Sequence, residues 1–324
     1  MKTIVFLISA LLALSACASS QEKTISVTQK EFAQQMAEWH GFDAAAISAW
    51  LNKAQHRDSI IEAMTRPAEG KPWHLYRKIF ITNRRIKGGV SFFNTHRDLL
   101  QRAYDEHGVD PYVITAIIGV ETSYGANTGS YPVIDALKTL SFGYPRRADF
   151  FRKQLEEFFL MAREENLNPM QPKGSYAGAM GMPQFIPSSF RSYAIDFDAN
   201  GKRNLWDNHA DIIGSVANYF AVHGWQKNQP VARLLPTKPE GLEPGSRRGQ
   251  KPNISPEQLK NAGITLTNGG ESVGNTSIIK LQQEKAAEYW LGFNNFYVIT
   301  RYNHSNLYAM AVYQLSEEIR KASK

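Results

Sequence analysis

The sequence predicts a mainly helical protein of the α+β class, with a small β-containing insertion towards its C-terminal end. Apolar residues recur at helical spacing over most of the chain, and two segments begin with strong helix-start signals. At about residue 226 the composition changes to Pro, Gly and charged residues, and short alternating stretches follow. The chain has 324 residues, 43% of them hydrophobic, which is enough for a sizeable core and more than one domain.

The first predicted unit is a helical domain over residues 28–109. Thr28 and Glu31 have the spacing of a capping box that opens a helix ending at about His40. Asp110 and Pro111 then restart the chain, because Asp suits a helix cap and Pro suits the first helical position. The predicted helices cover 28–40, 43–56, 110–125, 132–140, 146–165, 209–223 and 305–321, with further helical patterns up to 109.

The predicted insertion covers residues 228–295 and divides a second, core domain into segments 110–227 and 296–324. Its first part is rich in Pro, Gly and charge, which favours a loop. The expected strands are a short one at 230–235 and alternating stretches at 277–282, 286–292 and 296–301.

The N-terminus has the pattern of an export signal. "MKTIVFLISALLALSAC" has an early Lys and a short apolar run, so residues 1–16 are predicted to be a signal peptide and 17–27 a tether. The ending Leu14-Ser15-Ala16-Cys17 resembles a bacterial lipobox, after which the only cysteine of the chain would be lipidated. No Asp follows Cys17, which by the same resemblance favours an outer-membrane lipoprotein facing the periplasm. The alternative is a stray cysteine in an ordinary signal peptide.

The net charge of +7 favours an anionic partner such as nucleic acid, a membrane surface or an acidic polymer, or else a solvated basic surface. The basic segment "NRRIKGG" at 83–89 is compatible with a nucleic-acid-binding protein. The export signal argues against that function and predicts no nucleic-acid partner. The chain lacks His-Glu-x-x-His, Cys clusters, a phosphate-binding glycine loop and Gly-x-Ser-x-Gly. Zinc, nucleotide and serine-hydrolase chemistry are therefore disfavoured.

One carboxylate stands out in the apolar run "IIGVETSYG" at 117–125. Ile114, Ile117 and Ile118 precede Glu121 by seven, four and three residues, which places all four on one stripe of a helix. The structural alternative is a Glu paired with an Arg. The functional interpretation is a general acid, because apolar surroundings raise a carboxyl pKa and keep the proton available near neutral pH.

Two further segments are candidates for binding. "GSYAGAMGMPQFIPSSF" at 174–190 predicts a loop whose backbone approaches a ligand closely, with polar groups on Ser175 and Gln184. "DFDANGKRNLWD" at 196–207 has Asp196, Asp198 and Asn200 at positions 1, 3 and 5 of an EF-hand-like loop, ahead of a Gly at position 6. A polar turn is the alternative for this second segment.

The aromatic residues are concentrated in "WHLYRKIF" at 73–80 and "NNFYVITRYNHSNLYA" at 294–309. Most of them are expected in the core, although Tyr and Asn side chains beside a cleft would suit sugar rings and hydroxyls.

Several motifs together resemble the membrane-bound lytic murein transglycosylase B family, in order from about residue 28 to 320. The motifs are "GVETSYG", "YPRRADFF", "GSYAGAMGMPQFIPSSFRSYAIDFDANGKRNLWD", "IIGSVANYF" and "YNHSNLYA". The resemblance implies a lysozyme-like core, a helical N-terminal domain and a small β domain. It implies cleavage of the bond between N-acetylmuramic acid and N-acetylglucosamine in peptidoglycan, with a 1,6-anhydro product and no cofactor in the chemistry.

The resemblance also assigns roles to individual residues. It makes Glu121 the catalytic acid/base and Arg146 and Arg147 a pair in the substrate groove. The other implied substrate-binding residues are Ser175, Gln184, Tyr76, Tyr219, Tyr302, Asn303 and Tyr308. The implied ligands of a structural Ca²⁺ are Asp196, Asp198, Asn200, Lys202 and a last carboxylate, either Asp207 or Asp211.

Two rival functions stay open on sequence alone. A muramidase would use water in place of the sugar hydroxyl and leave a reducing end, and a peptidoglycan-binding lipoprotein would not catalyse at all. Glycan strands are the expected partner in every case, and the implied location also admits cell-wall synthases.

Overall fold

The computed structural model describes residues 27–65, 71–266 and 274–324. The predicted signal peptide, Cys17 and all but the last residue of the predicted tether lie outside these residues. Within them, no helix combines the length and the apolar character needed to cross a bilayer.

The N-terminal part is helical, as predicted. The Thr28 capping box is present, with the Thr28 side chain and the Glu31 side chain each accepting from the other's backbone N–H. Gly41, in the left-handed conformation, ends the first helix. The helices of this part are α1 (Gln29–His40), α2 (Ala44–Lys53), α3 (Asp58–Thr65), α4 (Trp73–Phe80), α5 (Asn83–Thr95) and α6 (Arg97–His107).

The next helix, α7 (Pro111–Thr122), begins at the predicted signal. The Asp110 side chain accepts the backbone N–H of Tyr112, and Pro111 occupies the first turn. The helix ends three residues earlier than expected, because Ser123 adopts the left-handed conformation. The following elements are β1 (Tyr131–Pro132), α8 (Val133–Gly143), a 3₁₀ turn (Pro145–Arg147), α9 (Ala148–Glu164), β2 (Lys173–Gly174), α10 (Pro187–Tyr193) and α11 (His209–Val222).

The region of the predicted insertion contains a three-stranded antiparallel sheet, with β3 (Ala232–Leu235), β4 (Ser277–Gln282) and β5 (Ala287–Gly292) in the order β3-β5-β4. A short helix that was not predicted, α12 (Pro256–Asn261), precedes β4, with its own capping box at Ser255. A small apolar cluster of Leu235, Ile254, Leu259, Ile278, Leu291 and Phe293 lies in this region.

The prediction of an alternating stretch at 296–301 is wrong. These residues belong to α13 (Asn294–Tyr302), which leads into the C-terminal helix α14 (Asn306–Ala322). Phe296, Val298 and Ile299 are all buried, which is a helical rather than an alternating pattern. The β-branched residues of this segment suggested a strand, but packing in the core determines the outcome.

The main core surrounds α7. This helix packs against α5 on one side and α14 on another, and every residue from Val113 to Val120 is buried. The helix is therefore enclosed on nearly all sides, rather than along the single stripe that the isoleucine spacing indicated. Glu121, in its last turn, is the first residue after this run that is only half-buried.

Candidate active site

Glu121 lies where the enclosed helix α7 reaches the surface of the core. Its side chain is surrounded by protein atoms but keeps part of its surface accessible. The hydroxyl of Tyr308, at the start of α14, donates a hydrogen bond to Glu121 Oε1. One carboxyl oxygen is thus held by the protein.

The surroundings change the acidity of this carboxyl group. Burial raises the pKa of Glu121 from 4.5 to about 7, and the hydrogen bond from Tyr308 opposes that rise by stabilising the anion. Burial, together with the nearby Glu121 charge, also raises the pKa of both Tyr302 and Tyr308 well above the ordinary value, so both hydroxyls stay protonated donors. A carboxyl with a pKa near 7 is suited to proton transfer in either direction at neutral pH.

Aromatic residues form the wall behind Tyr308. The ring of Tyr302 is parallel to that of Tyr308, at 6.5 Å between centroids and 12° between planes, and its hydroxyl donates to Pro183 O at 2.6 Å. Tyr219 packs against Tyr302 at 4.8 Å but is itself 93% buried, and its hydroxyl donates to Arg301 O at 2.6 Å. Tyr219, one of the predicted substrate-binding residues, therefore lies in the interior, where it supports the wall.

The loop at 174–186 runs beside this wall and contains two of the predicted polar residues. The Ser175 hydroxyl oxygen accepts the backbone N–H of Ala179 at 3.1 Å. Gln184 adopts the left-handed conformation, with φ of 53°, and its side-chain amide donates to Thr128 O and Gly181 O. Both side chains are half-buried, so each is fixed by the loop while part of its surface stays accessible.

The remaining predicted substrate residues lie at varying depth. Tyr76 on α4 is half-buried and close enough to Tyr308 to affect its pKa, whereas Asn303 is exposed at the end of α13. Arg146 and Arg147 are exposed on the 3₁₀ turn, and the Arg147 guanidinium lies 4.3 Å from the centre of the Phe150 ring. Within the part of the chain that the structure describes, Tyr76 is thus linked to the Glu121 region, whereas no contact links the arginine pair to it.

The basic segment "NRRIKGG" has a packing role that sequence analysis missed. Arg84 and Lys87 are exposed, but the Arg85 side chain turns inward and donates to the last turn of α7 and to Ser123. Gly88 and Gly89 face the ring and the hydroxyl of Tyr124, and an added Cβ at either position would lie within 3 Å of that side chain. The spacing of this segment gave no sign of these contacts, because its partners are more than thirty residues away in sequence.

A second group of polar residues lies in the EF-hand-like loop. Carboxylate oxygens of Asp196, Asp198 and Asp211 all lie within 4.8 Å of one another. Asp207 is not in this group; it accepts a hydrogen bond from the Asn204 side-chain amide. Asn200 and Lys202 belong to the same loop, where Asn200 Oδ1 accepts the Lys202 backbone N–H at 3.0 Å.

The buried member of this group is Asp211. Burial raises its pKa, and the charges of Asp198 and Asp196 act in the same direction, against backbone hydrogen bonds from Asn204 and Phe197. Three neighbouring carboxylates repel one another, and a hard divalent cation with oxygen ligands would relieve that repulsion. The donor set therefore fits Ca²⁺.

The sequence matches the family described as transglycosylase SLT domain over residues 26–317. It is 44% identical over 303 residues to membrane-bound lytic murein transglycosylase B of Escherichia coli (strain K12), covering 90% of this chain and 82% of that protein.

Solved structures agree with this match. The soluble lytic transglycosylase SltB1 from Pseudomonas aeruginosa is 46% identical, with a TM-score of 0.83 and coverage of 90% of this chain and 98% of that one. The Escherichia coli lytic transglycosylase Slt35 in complex with calcium is 44% identical, with a TM-score of 0.83 and coverage of 91% and 93%. The fold, the site and the extent of these matches lead to one conclusion: the chain belongs to the lytic murein transglycosylases of the SLT domain family, enzymes that cleave peptidoglycan by lytic transglycosylation.

Proposed function

We propose that Glu121 is the single acid/base of this lytic transglycosylase and that it acts on the β-1,4 bond from N-acetylmuramic acid to N-acetylglucosamine. The observation that carries the proposal is a half-buried carboxyl at the end of an otherwise enclosed helix, with a pKa of about 7 and one oxygen held by Tyr308. At neutral pH this group is close to half-protonated, so it can both donate and accept a proton.

The surroundings of Glu121 support a mechanism with one carboxylate. Glycosidases that use two carboxylates place them about 5 to 10 Å apart across the bond. A second carboxylate at the shorter separation would raise the pKa of Glu121 by repulsion. Among the described residues, the effects on the Glu121 pKa come from burial and from Tyr308, with no carboxylate contributing.

The reaction then needs a nucleophile from the substrate itself. Glu121 donates its proton to the oxygen at C4 of the departing N-acetylglucosamine, and the bond from that oxygen to C1 of the muramic acid breaks. The N-acetyl group at C2 stabilises the positive charge that develops at C1. The C6 hydroxyl of the same sugar attacks C1, its proton passes to Glu121, and a 1,6-anhydro ring closes with the acid regenerated.

The residues around Glu121 provide substrate contacts with different roles. Tyr76, Ser175, Gln184 and Asn303 keep accessible surface and are the proposed sugar contacts. Tyr308 fixes the carboxyl through its hydrogen bond to Glu121, and Tyr302 fixes the neighbouring loop through its hydrogen bond to Pro183 O. Arg146 and Arg147, exposed and cationic, suit the carboxylates of peptide stems or lactyl groups farther along the strand.

Calcium is proposed as a structural ion that takes no part in the chemistry. Asp196, Asp198 and Asp211 would supply carboxylate ligands, with Asn200 and the backbone carbonyl of Lys202 completing the loop. The calcium complex of the relative Slt35 is consistent with this assignment.

Membrane attachment is proposed to occur through a lipid on Cys17, at the outer membrane and facing the periplasm. The support is the Leu14-Ser15-Ala16-Cys17 motif and the membrane-bound relative. This location would bring the enzyme to its peptidoglycan substrate and beside cell-wall synthases, the predicted protein partners.

Glu121→Gln should abolish glycan cleavage. Gln keeps the shape but donates no proton of useful acidity, and because one group serves both proton transfers we expect a loss at or above about 10⁴-fold. Muropeptides released by the unmodified enzyme should resist borohydride and be lighter by one water than hydrolysis products, as measured by mass spectrometry.

The matched control for that variant is Glu318→Gln, at the far end of α14, where the side chain pairs with Lys321 at 3.4 Å. It should keep full activity. Reducible ends as the main product would show that the enzyme hydrolyses the bond instead of forming the 1,6-anhydro ring. Full activity in Glu121→Gln would exclude Glu121 as the acid/base.

Tyr308→Phe should move the alkaline limb of the pH–rate profile to higher pH. The hydrogen bond from Tyr308 lowers the pKa of Glu121, so removing it raises that pKa and keeps the acid protonated to higher pH. Rates should fall about 10- to 100-fold because the carboxyl, which stays buried in this variant, loses the hydrogen bond that orients it. The control is Tyr302→Phe, which loses a hydroxyl that contacts Pro183 O; its alkaline limb should stay in place. An alkaline limb that moves to lower pH in Tyr308→Phe would contradict the proposed effect of Tyr308 on the Glu121 pKa.

Calcium should raise the melting temperature of the protein. A ligand that binds only the folded state stabilises it by about 2.7 kcal/mol at 100 times its Kd. Asp196→Asn and Asp211→Asn should remove the shift, whereas Asp207→Asn should keep it, because Asp207 lies outside the carboxylate group. A melting temperature that is unchanged by millimolar Ca²⁺ would show that the loop is a polar turn without a bound ion.

Cys17→Ser should prevent lipidation and leave the protein unprocessed or soluble. Each buried CH₂ of an acyl chain contributes about 0.8 kcal/mol to membrane binding, so loss of the lipid should be visible in membrane fractionation. Ser19→Ala is the control and should fractionate as the unmodified protein does. An unchanged membrane fraction and an unchanged mature mass in Cys17→Ser would rule out the anchor.

A further inference from the structure

We infer that Arg85 is a positioning residue for Glu121, holding the last turn of α7 and the turn after it in the geometry that the reaction needs. The inference rests on the proposed role of Glu121 as acid/base. Arg85 does not contact the carboxyl; it acts on the backbone that carries it.

The hydrogen bonds of Arg85 bracket the catalytic residue. Its Nε donates to Gly119 O at 2.8 Å, two residues before Glu121, and its Nη2 donates to Ser123 Oγ at 2.9 Å, two residues after it. Its Nη1 donates to Ile79 O at 2.7 Å, near the end of α4. One rigid guanidinium thus ties α4, the last turn of α7 and the following turn together.

This part of the backbone needs support from outside the helix. The carbonyls of Ile118 and Gly119 accept the N–H groups of Tyr124 at 3.3 Å and Ser123 at 3.1 Å, so the helix end depends on the turn that follows it, and Arg85 gives Gly119 O a second partner. Here the chain also passes through Ser123 and Tyr124 with φ of 51° and 62°, a left-handed conformation that is unfavourable for residues with a side chain. Contacts from α5 offset that cost.

Tyr124 makes the attachment reciprocal. Its hydroxyl donates to the backbone carbonyl of Arg85 at 2.8 Å. The turn is therefore hydrogen-bonded to α5 through Tyr124, and α5 is hydrogen-bonded to the turn through Arg85. The Tyr124 ring fits because glycine occupies three neighbouring positions. An added Cβ at Gly88, Gly89 or Gly119 would lie 2.9, 2.6 or 2.5 Å from the Tyr124 side chain.

The chemistry of the contact explains why arginine is used. A fourth acceptor, Phe80 O, lies 3.4 Å from Nη1. All four acceptors are neutral, and burial lowers the pKa of Arg85, so the cation is held at a cost in desolvation. Only a planar fork reaches these acceptors in different directions at once; the single ammonium of lysine does not. The Glu121 pKa depends on burial and Tyr308, so Arg85 acts through position and not through its charge.

The test compares Arg85→Lys with Arg163→Lys on soluble glycan strands of defined length. Arg163 is a matched control: its Nη1 also donates to a backbone carbonyl, His40 O at 2.8 Å, and its guanidinium lies 4.0 Å from the centre of the Phe42 ring. In Arg85→Lys, kcat should fall about 10- to 100-fold with little change in KM, because the acid is misplaced while the sugar contacts persist.

A pH profile separates positioning from loss of stability. A Glu121 released from its fixed place reaches water, so the alkaline limb in Arg85→Lys should move to lower pH, towards the ordinary range of a carboxyl. The titratable groups facing Glu121 are Tyr308 and Tyr302, both protonated throughout this range, so they do not move the limb. Arg163→Lys should show neither the fall in kcat nor the shift.

The outcomes separate this inference from the proposed function. Unchanged kcat and an unchanged pH limb in a folded Arg85→Lys protein would overturn it, as would an equal loss in Arg163→Lys. If Arg85→Lys does not fold, Tyr124→Phe replaces it, with a smaller fall in kcat expected and an unchanged kcat contradicting the inference. Activity in Glu121→Gln would overturn the proposed function instead, whatever Arg85 does.

Discussion

The role proposed for Glu121 depends on one requirement: its carboxyl group must be buried enough to keep a proton at neutral pH and accessible enough to pass that proton to a sugar. The enclosure of α7 meets the first condition, because its residues from Val113 to Val120 are buried. The abrupt end of the helix meets the second. The left-handed Ser123 ends the helix two residues after Glu121, and Glu121 keeps part of its surface accessible. Burial and exposure are thus divided at a single helix terminus.

The groups that adjust this carboxyl come from distant parts of the chain. Tyr308 is 187 residues away in sequence and reaches Glu121 because α14 packs against α7. Its hydrogen bond opposes the effect of burial, so the pKa of about 7 is a balance of two opposing influences. The sheet region lies between the two parts of the main core in sequence, which means that the chain must return to the core before Tyr308 can reach the site.

Whether a feature could be predicted from the sequence depends on how far apart in sequence the interacting residues are. Helix starts at Thr28 and Asp110 depend on residues three positions apart or fewer, so their signals are local and the structure confirms them. The segment at 296–301 was misjudged because its β-branched residues favour a strand locally, whereas burial in the core makes it helical. Glu121 could be singled out because a carboxylate in an apolar run is unusual on local grounds alone. The residues that contact Glu121 could be named only by resemblance to the family. The inward direction of the Arg85 side chain could not be predicted, because a run of basic residues has the same sequence pattern whether it faces solvent or a helix end.

The EF-hand-like loop at 196–207 and helix α7 are also linked by hydrogen bonds to backbone carbonyls. The carbonyl of Leu205, in the EF-hand-like loop, accepts the N–H of Met182 at 2.8 Å, and the carbonyl of Met182 accepts a hydrogen bond from the Thr122 hydroxyl at 3.0 Å. Thr122 is the residue after Glu121. Gly181 permits this close approach, since an added Cβ there would lie 2.3 Å from Leu205 O. Two hydrogen bonds and the loop that carries Gln184 therefore connect the 196–207 loop to the residue beside Glu121. Through this connection the proposed Ca²⁺ would act on the position of Glu121 and not on the chemistry itself.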